Sequence, residues 1–412
     1  MRILHAADIH LDSPLAGLRQ RAGARGDELA DATRRAFENL VQYAIDQKVD
    51  LLVIAGDNYD GRHRDYSSLQ FFAAQMRRLL KAGIRIVMIR GNHDAENQLV
   101  LTLPEGVRLL SVTQPETIEF DDLRLAIHGQ SYPKRDVKDN LAQHYPDPVA
   151  GFFNLGVLHT AVEGYGGTHA AYAPCSVKDL IDKRYDYWAL GHVHRRIEIN
   201  RAPWIIYPGN LQARHVKESG AKGATLITVD GSSVSEVAHV PLDVVRWSEI
   251  EIDVSGAADI DDLAPLLTKA LGKAADDAED RTLAARVSLV GETKIHGRLK
   301  SETLRIDAEV AEAAEAAGDV WIERIEVATS HPARAEAPDE AIAALDDEVR
   351  RLKDGTIDRE KLRETVFGMP GRFTAGLRRD ADLEALDDAA LDAIIEDACD
   401  LLKARLLPEA KI

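Results

Sequence analysis

Five short apolar runs in this chain are each followed at once by side chains of the types that bind metal ions. The runs have the length and β-branched composition of buried strands. The candidate ligands that follow them are Asp8, His10, Asp57, Asn92, His159, His192 and His194. Each motif alone is common in structural turns. Open α/β sheets, however, place their binding crevices at the carboxyl ends of strands, so five such ends together predict one shared site.

Helical segments alternate with these strands in the first part of the chain. RRAFENLVQYAIDQKV and SLQFFAAQMRRLLKAG carry apolar residues at helical spacing, and each leads into a strand. This βαβα order predicts parallel strands covered by helices. The later strands leave little room for helices between them, so we expect a second, more antiparallel sheet. The predicted fold class is α/β, a sandwich of two packed sheets flanked by helices over residues 1–240.

The pattern changes near Trp247. From there to about residue 330 the order is β-α-β-α-β, which predicts a small second domain over residues 241–330. THPARAEAPDE has the composition of a linker, and residues 331–412 form an acidic region that we expect to be helical. The apolar face of its last helix consists of Leu383, Leu386, Ala390, Ile394, Ala398 and Leu401. Either packing on its own domain or binding of a partner protein would explain this face.

Charge and composition limit the possible classes of protein. The net charge is -18, and residues 241–412 hold 23 Lys and Arg against 40 Asp and Glu, so the acid excess lies in the second half. The overall charge therefore neither supports nor excludes a nucleic-acid substrate. No run approaches the ~18 apolar residues of a membrane span, and Asp8 interrupts the first apolar stretch, so we expect a cytoplasmic protein that makes no membrane contact. Cys175 and Cys399 are expected to be buried thiols.

The candidate ligands divide into two sets. Residues two apart at a strand end point the same way, so Asp8 with His10, and His192 with His194, can each approach a common site. With Asp57 as the bridge, one ion would take Asp8, His10 and His194, and the other Asn92, His159 and His192. Two such ions lower the pKa of water toward ~7, so hydroxide is expected to attack phosphorus. Imidazole, carboxylate and amide ligands suit manganese, iron or zinc, and manganese is our choice.

Three residues beside the ligands are candidates for supporting roles. His93 is placed to protonate the leaving oxygen or steady the phosphoryl charge. Asp94 is predicted to orient the His93 imidazole. Asp60 either hydrogen-bonds the site or caps its loop.

Arg62 and Arg64, then Arg214 and His215, enter loops near the site and are candidate substrate-binding residues; Arg195 and Arg196 follow His194 directly. These cations are either phosphate contacts or solvated loop charges.

The ordered motifs DIH, GDNYD, GNHD, LHT and GHVH resemble those of the calcineurin-like metallophosphoesterases. Within that superfamily, HAADIHLDSPL, YDYWALGHVHRR and YPGNLQARH resemble the SbcD-type DNA repair exonucleases, most closely the YhaO-like branch. The resemblance covers residues 1 to about 330. It implies a two-sheet metallophosphoesterase sandwich with a small capping domain, and manganese-dependent hydrolysis of DNA. It further implies an SMC-like coiled-coil ATPase partner and a possible homodimer. Asn58 and Tyr59, the residues between the two acids of GDNYD, depart from that branch, which usually has apolar residues there.

Two other functions remain open from the sequence. One is a phosphoesterase that acts on a small substrate, such as a cyclic nucleotide, or on a phosphoprotein. The other is a non-catalytic scaffold of an ATPase complex, which the complete ligand set disfavours because a scaffold needs no open two-metal centre.

Overall fold

The computed structural model describes residues 1–13, 31–60, 66–96, 103–165, 172–332 and 340–353, with single positions at 392, 395, 398, 399 and 402. The chain divides into two compact units. The first comprises Met1–Glu249, Ala274–Ala285 and Asp319–Glu323. The second comprises the described residues of Ile250–Lys273, Arg286–Gly318 and Arg324–Ile412.

The strands in chain order are β1 (Arg2–Ala6), β2 (Leu51–Ala55), β3 (Arg85–Ile89), β4 (Val107–Leu109), β5 (Glu116–Phe120), β6 (Leu125–Gly129), β7 (Phe153–His159), β8 (Tyr187–Gly191), β9 (Ile197–Arg201), β10 (Trp204–Tyr207), β11 (Gly223–Asp230), β12 (Ser233–Pro241), β13 (Val245–Asp253), β14 (Thr282–Glu292) and β15 (Val320–Ser330). The helices are α1 (Ala32–Asp46), α2 (Tyr66–Lys81), α3 (Asn92–Glu96), α4 (Val177–Asp182), α5 (Leu263–Asp277), α6 (His296–Ser301), α7 (Thr303–Ala317) and α8 (Glu340–Lys353).

Two six-stranded sheets form the first unit. Their strand orders are β12-β11-β1-β2-β3-β4 and β5-β6-β7-β8-β10-β9. In the first sheet β1 to β4 are parallel, and β11 and β12 add antiparallel pairings. In the second, β6, β7, β8 and β10 are parallel, and only the edge strands β5 and β9 are antiparallel. The prediction of a more antiparallel second sheet is therefore wrong: within the described residues the connections between its parallel strands are largely irregular, with only the short helix α4 between β7 and β8.

The core follows from alternation along the buried strands. In β2, Leu52 and Ile54 pack with α1 and α2, whereas Leu51 and Val53 face the second sheet. Successive strand residues point to opposite faces of the sheet, so one apolar strand packs against the helices on one face and against the second sheet on the other. The aromatic side chains of Phe37 in α1 and Phe72 in α2 stack with their centroids 5.3 Å apart. The outer face of the second sheet is covered by a cluster around Trp188 and Tyr132.

The strands β13, β14 and β15 form a third, small sheet. Along the chain α5 separates the first two strands, and α6 and α7 separate the last two, as the β-α-β-α-β pattern predicts. The predicted fold class is confirmed.

Most of the predicted C-terminal helices lie outside the described residues. Of the predicted apolar face only Ala398 is described, and it is exposed, whereas Ile395 and Cys399 are buried. An exposed Ala398 is compatible with a face that binds a partner, and the choice between packing on its own domain and binding a partner stays a prediction. Both cysteines are buried thiols, as expected.

Candidate metal centre

All seven predicted ligands are held at, or within a few residues of, the carboxyl ends of five strands of the two sheets. They follow or end β1, β2, β3, β7 and β8. Six of them are at most 5% exposed, and the side chain of His194 is 12% exposed. The two sheets therefore contribute candidate ligands to one buried site.

One group of donor atoms comes from Asp8, His10 and His194, and these atoms lie within 4.8 Å of one another. The Nε2 atoms of His10 and His194 are 3.2 Å apart. This group has the membership that the sequence predicted for the first ion.

A second group comes from Asp8, Asp57 and His159, again with donor atoms within 4.8 Å. The Nε2 atom of His159 lies 3.0 Å from Oδ1 of Asn92 and 3.4 Å from Oδ2 of Asp57. The His192 ring is centred 5.3 Å from the His159 ring. The carboxylate common to both groups is that of Asp8, so the bridging role given to Asp57 stays a prediction.

The backbone at these positions is strained. The φ angles of Asp8, His10, Asp57 and His192 are 51°, 46°, 53° and 108°. Residues other than glycine seldom adopt positive φ, and such strain concentrates at functional sites. Hydrogen bonds hold these turns in place: the N–H of His192 donates to both oxygens of Asp8 at 3.0 Å, and the N–H of His10 donates to the Asp57 carbonyl at 3.0 Å.

Two glycines of the motifs make close backbone approaches possible. A Cβ at Gly91 would lie 2.2 Å from Oδ1 of Asp57 and 2.7 Å from Cε1 of His159. A Cβ at Gly191 would lie 2.0 Å from the carbonyl oxygen of Ala55. Both distances are far below van der Waals contact, so the GNHD and GHVH motifs need glycine for steric reasons.

Burial and neighbouring charges set the protonation states of the centre. Burial, with the nearby Asp57 carboxylate, raises the pKa of Asp8 to about 8. Burial also acts to raise the pKa of Asp57, but the adjacent His159 outweighs it and holds that pKa well below its usual range. Burial acts to lower the pKa of His159, but Asp57 raises it to about 9. Two buried acids so close to each other favour the binding of a further cation.

The donor set fits divalent metal ions. Two nitrogens bound at about 2.1 Å to one cation, at roughly a right angle, lie about 3 Å apart, which is close to the 3.2 Å between Nε2 of His10 and Nε2 of His194. Added positive charge would also relieve the repulsion between the Asp8 and Asp57 carboxylates. The site is therefore suited to bind metal through oxygen and imidazole nitrogen.

His93 lies at the rim of this centre. Its side chain is 31% exposed, and its ring is centred 5.0 Å from that of His10. Its Nδ1 is 3.3 Å from the carbonyl oxygen of Asp60 and 3.7 Å from Oδ1 of the same residue. Asp60 also lies 3.0 Å from Nδ1 of His10, so of the two predicted alternatives it takes the one that hydrogen-bonds the site.

Asp94 occupies a different position from the one predicted. Its carboxylate accepts hydrogen bonds from the N–H groups of Asn58, Tyr59 and Gly91 and from the Asn58 amide. The side chain thus ties the turn after β2 to the turn after β3. The carboxylate next to His93 is that of Asp60, so an orienting contact from Asp94 to that imidazole is not formed.

Glu218 is a residue of the site that the sequence did not indicate. Its Oε1 lies 2.6 Å from Nδ1 of His194, and it is 8% exposed. It sits in a 3-10 turn, Val216–Glu218, twenty-four positions after the ligand. No strand end or motif spacing marks it, since the contact depends on how the chain returns to the site after β10.

The predicted substrate-binding residues differ in placement. Arg62 and Arg64 lie outside the described residues. His215 has a side chain that is 56% exposed. Arg214 is only 19% exposed, and its guanidinium contacts Asp60 and Glu218 rather than projecting into solvent. Arg195 is exposed, whereas Arg196 bonds Thr225 and Glu198. Within the part of the chain that the structure describes, no helix is long and apolar enough to cross a bilayer.

Two family models match separate parts of the chain. The family model for calcineurin-like phosphoesterases matches residues 1–196, and that for the middle domain of metallophosphoesterase YhaO matches residues 247–330. The chain is similar to the uncharacterized metallophosphoesterase YhaO of Bacillus subtilis (strain 168). The two are 33% identical over 279 residues, which cover 66% of this chain and 68% of that protein.

Two further relatives have names that refer to DNA repair or to a nuclease. The DNA double-strand break repair protein Mre11 of Methanopyrus kandleri is 30% identical, over 62% of this chain and 60% of that protein. The SbcD component of the nuclease SbcCD of Bacillus subtilis is 29% identical, over 55% of this chain and 66% of that protein. The matches confirm the expectation of a metal-dependent hydrolase. The chain thus belongs to the calcineurin-like metallophosphoesterases, in the branch of YhaO and the SbcD-type nucleases.

Proposed function

We propose that the chain is a two-metal phosphodiesterase that hydrolyses DNA, an exonuclease acting in DNA repair. The observation that carries the proposal is the gathering of seven oxygen and imidazole donors, six of them buried, from two sheets beside a partly exposed His93. The printed names of two relatives, a double-strand break repair protein and a component of a nuclease, support DNA as the substrate class.

In this proposal the two sets of ligands hold two divalent ions, with manganese as our choice. Asp8, His10 and His194 would hold one ion and Asn92, His159 and His192 the other, with Asp57 as the ligand they would share. Bound there, the cations supply Lewis acidity and neutralise the charge that develops on the phosphoryl group.

The chain's own residues then orient the substrate and move a proton. The backbone N–H of His93 donates to Oδ1 of Asp57 at 2.9 Å, which holds the residue beside the centre. Its Nδ1 lies beside the carbonyl of Asp60 and donates to it, so in the imidazolium form the second proton is on Nε2; transfer of that proton to the leaving oxygen leaves a neutral ring protonated at Nδ1. Asp94 supports the turn that holds His93 rather than the ring itself.

Loops around the centre would hold the DNA. Arg62, Arg64 and the exposed His215 are the residues we assign to phosphate contacts. An SMC-like coiled-coil ATPase as partner, a homodimer and the division of the chain into residues 1–240, 241–330 and 331–412 belong to the same proposal. Their support is the resemblance of the chain to the SbcD-type nucleases.

One assay tests the proposal. The purified protein is incubated with manganese and either linear DNA or bis-p-nitrophenyl phosphate, with His93→Ala as the matched variant. We expect both substrates to be cleaved and the variant to lose about 100-fold or more in rate. Cleavage of the small ester alone would identify a small-substrate enzyme, and cleavage of neither a scaffold; either result contradicts the nuclease assignment.

A further inference from the structure

Both imidazoles of the first ligand group have a carboxylate behind them. Nδ1 of His10 lies 3.0 Å from Oδ1 of Asp60, and Nδ1 of His194 lies 2.6 Å from Oε1 of Glu218. An ionised carboxylate only accepts hydrogen bonds, so Nδ1 of the His194 ring must carry the proton. The lone pair of that ring then remains on Nε2, which lies 3.2 Å from Nε2 of His10.

A single guanidinium joins the two carboxylates. Nη1 of Arg214 lies 3.3 Å from Oδ1 of Asp60, and Nη2 lies 3.4 Å from Oε1 of Glu218. Since Nδ1 of His194 already donates to Glu218, the nearby Nη2 contributes to the carboxylate and not to the ring. Asp60, Arg214 and Glu218 therefore form one chain of charges behind two ligands of the same ion.

Glu218 is itself held firmly. Its Oε2 accepts hydrogen bonds from Nδ2 of Asn210 at 2.9 Å and from the N–H of Arg214 at 2.8 Å. With four groups on its two oxygens and 8% exposure, the carboxylate has little freedom to turn. The Glu218 carboxylate therefore fixes the His194 tautomer before a metal ion binds.

The second ligand group is built differently. Nδ1 of His159 lies 2.9 Å from the backbone carbonyl of Ala55, a neutral acceptor. A carbonyl fixes the tautomer but adds no negative charge to the ring, whereas a carboxylate also raises the basicity of the ligand. His159 and His194 thus differ in what lies behind their imidazoles.

We propose that Glu218, acting with Arg214 and Asp60, is a positioning residue that prepares the Asp8, His10 and His194 site for its cation. Loss of the Glu218 charge then weakens that site and spares the Asn92, His159 and His192 site. The inference deepens the proposed function and rests on it, because it requires that the centre binds two ions.

Manganese binding to the purified full chain tests this. Titration of the metal-free protein, with elemental analysis of the loaded protein, gives the number of ions and the affinity of each class of site. For Glu218→Gln we expect one class to weaken by about 10- to 100-fold and the other to stay unchanged. Glu116→Gln is the matched control, since Glu116 also accepts a backbone N–H and pairs with an arginine but lies on β5.

Each outcome decides a separate question. Two ions bound by Glu218→Gln with unchanged affinities would overturn the positioning role. A wild-type chain that binds no manganese would instead overturn the proposed function. If melting in EDTA shows that Glu218→Gln is unfolded, Arg214→Gln decides: weakening of one class supports the inference, and unchanged binding of both overturns it. Partial recovery of the weakened site in Glu218→Asp would mark the charge as the cause.

Discussion

Several ligand residues of this centre have backbone angles that other side chains would avoid. Asp8, His10 and Asp57 all have φ near +50°, and each is fixed by hydrogen bonds from another turn of the site. Such strain costs on the order of 1–3 kcal/mol per residue, so it persists only where the surrounding structure enforces it. The donors are therefore placed before any ion binds, which reduces the reorganisation that binding requires.

Gly91→Ala tests how tightly the donors are packed. The added Cβ would meet Asp57 at 2.2 Å and His159 at 2.7 Å, so both must move. We expect the free energy of unfolding to fall by about 1–3 kcal/mol, and manganese affinity to fall by about 10-fold or more. Denaturant unfolding in EDTA and metal titration measure the two effects.

The control is Gly272→Ala in α5, where nothing lies within 4 Å of the new Cβ. That change should be neutral or stabilise by up to about 1 kcal/mol, since alanine is the better helix former. Equal behaviour of the two variants would refute the steric account of Gly91.

Metal binding should strengthen as the pH rises. Asp8, with its pKa raised to about 8, and His159, with its pKa raised to about 9, must both lose a proton to become ligands. Below those values protons compete with the cation. We expect the apparent manganese affinity to increase from about pH 6 to about pH 9, with protons released on binding. Calorimetry in buffers of different ionisation enthalpy counts those protons, and a pH-independent affinity would contradict the assignment of these two ligands.

At the scale of secondary structure, the ends of strands determine the site. The residues predicted as ligands lie close together because carboxyl ends of parallel strands meet at one edge of a sheet, and their role as ligands stays a prediction. The pairing of the second sheet was predicted wrongly, since the order of β5 to β10 depends on contacts between distant segments. The positions of Glu218 and Arg214 were likewise beyond local patterns, because they follow from a turn that returns to the centre.

The helices behind the first sheet should contribute to stability independently of the centre. Phe72 in α2 is fully buried and stacks on Phe37. Phe72→Ala should lower the free energy of unfolding by about 3–5 kcal/mol through a cavity, while the folded variant still binds manganese as the wild type does. Denaturant titration and metal binding at low temperature test this.

Tyr66→Ala serves as the comparison, because Tyr66 begins the same helix and is 67% exposed. Its effect on stability should stay within about 0.5 kcal/mol. A similar loss of stability from both variants would contradict the view that α2 stabilises the chain through its buried face.

At the scale of the whole molecule, charge is unevenly divided. Residues 1–240 are close to neutral, whereas residues 241–412 carry most of the net charge of -18. DNA binding in the proposed function therefore depends on local cations near the centre and not on overall attraction. Neither the path of the DNA nor the role of the C-terminal region follows from composition, since both depend on how residues far apart in the chain come together.

Replacing both Arg62 and Arg64 with alanine tests those local cations. We expect weaker cleavage of DNA and a shallower dependence on salt, because each lost phosphate contact removes about one released counterion. Turnover of bis-p-nitrophenyl phosphate should be unchanged. Lys178→Ala is the control, as this exposed lysine pairs with Asp182 on α4. Normal salt sensitivity in the double variant would refute the phosphate contacts.

The Asp8 carboxylate accepts the N–H of His192, and so joins an end of the first sheet to an end of the second. Ions held among those residues would fasten the two halves of the sandwich, and each ion present at 100 times its dissociation constant would add about 2.7 kcal/mol to folding. A lack of metal would then lower the stability of the folded chain as well as its activity. It would expose the chain to proteases, and the supply of metal would set how long each molecule survives in the cell.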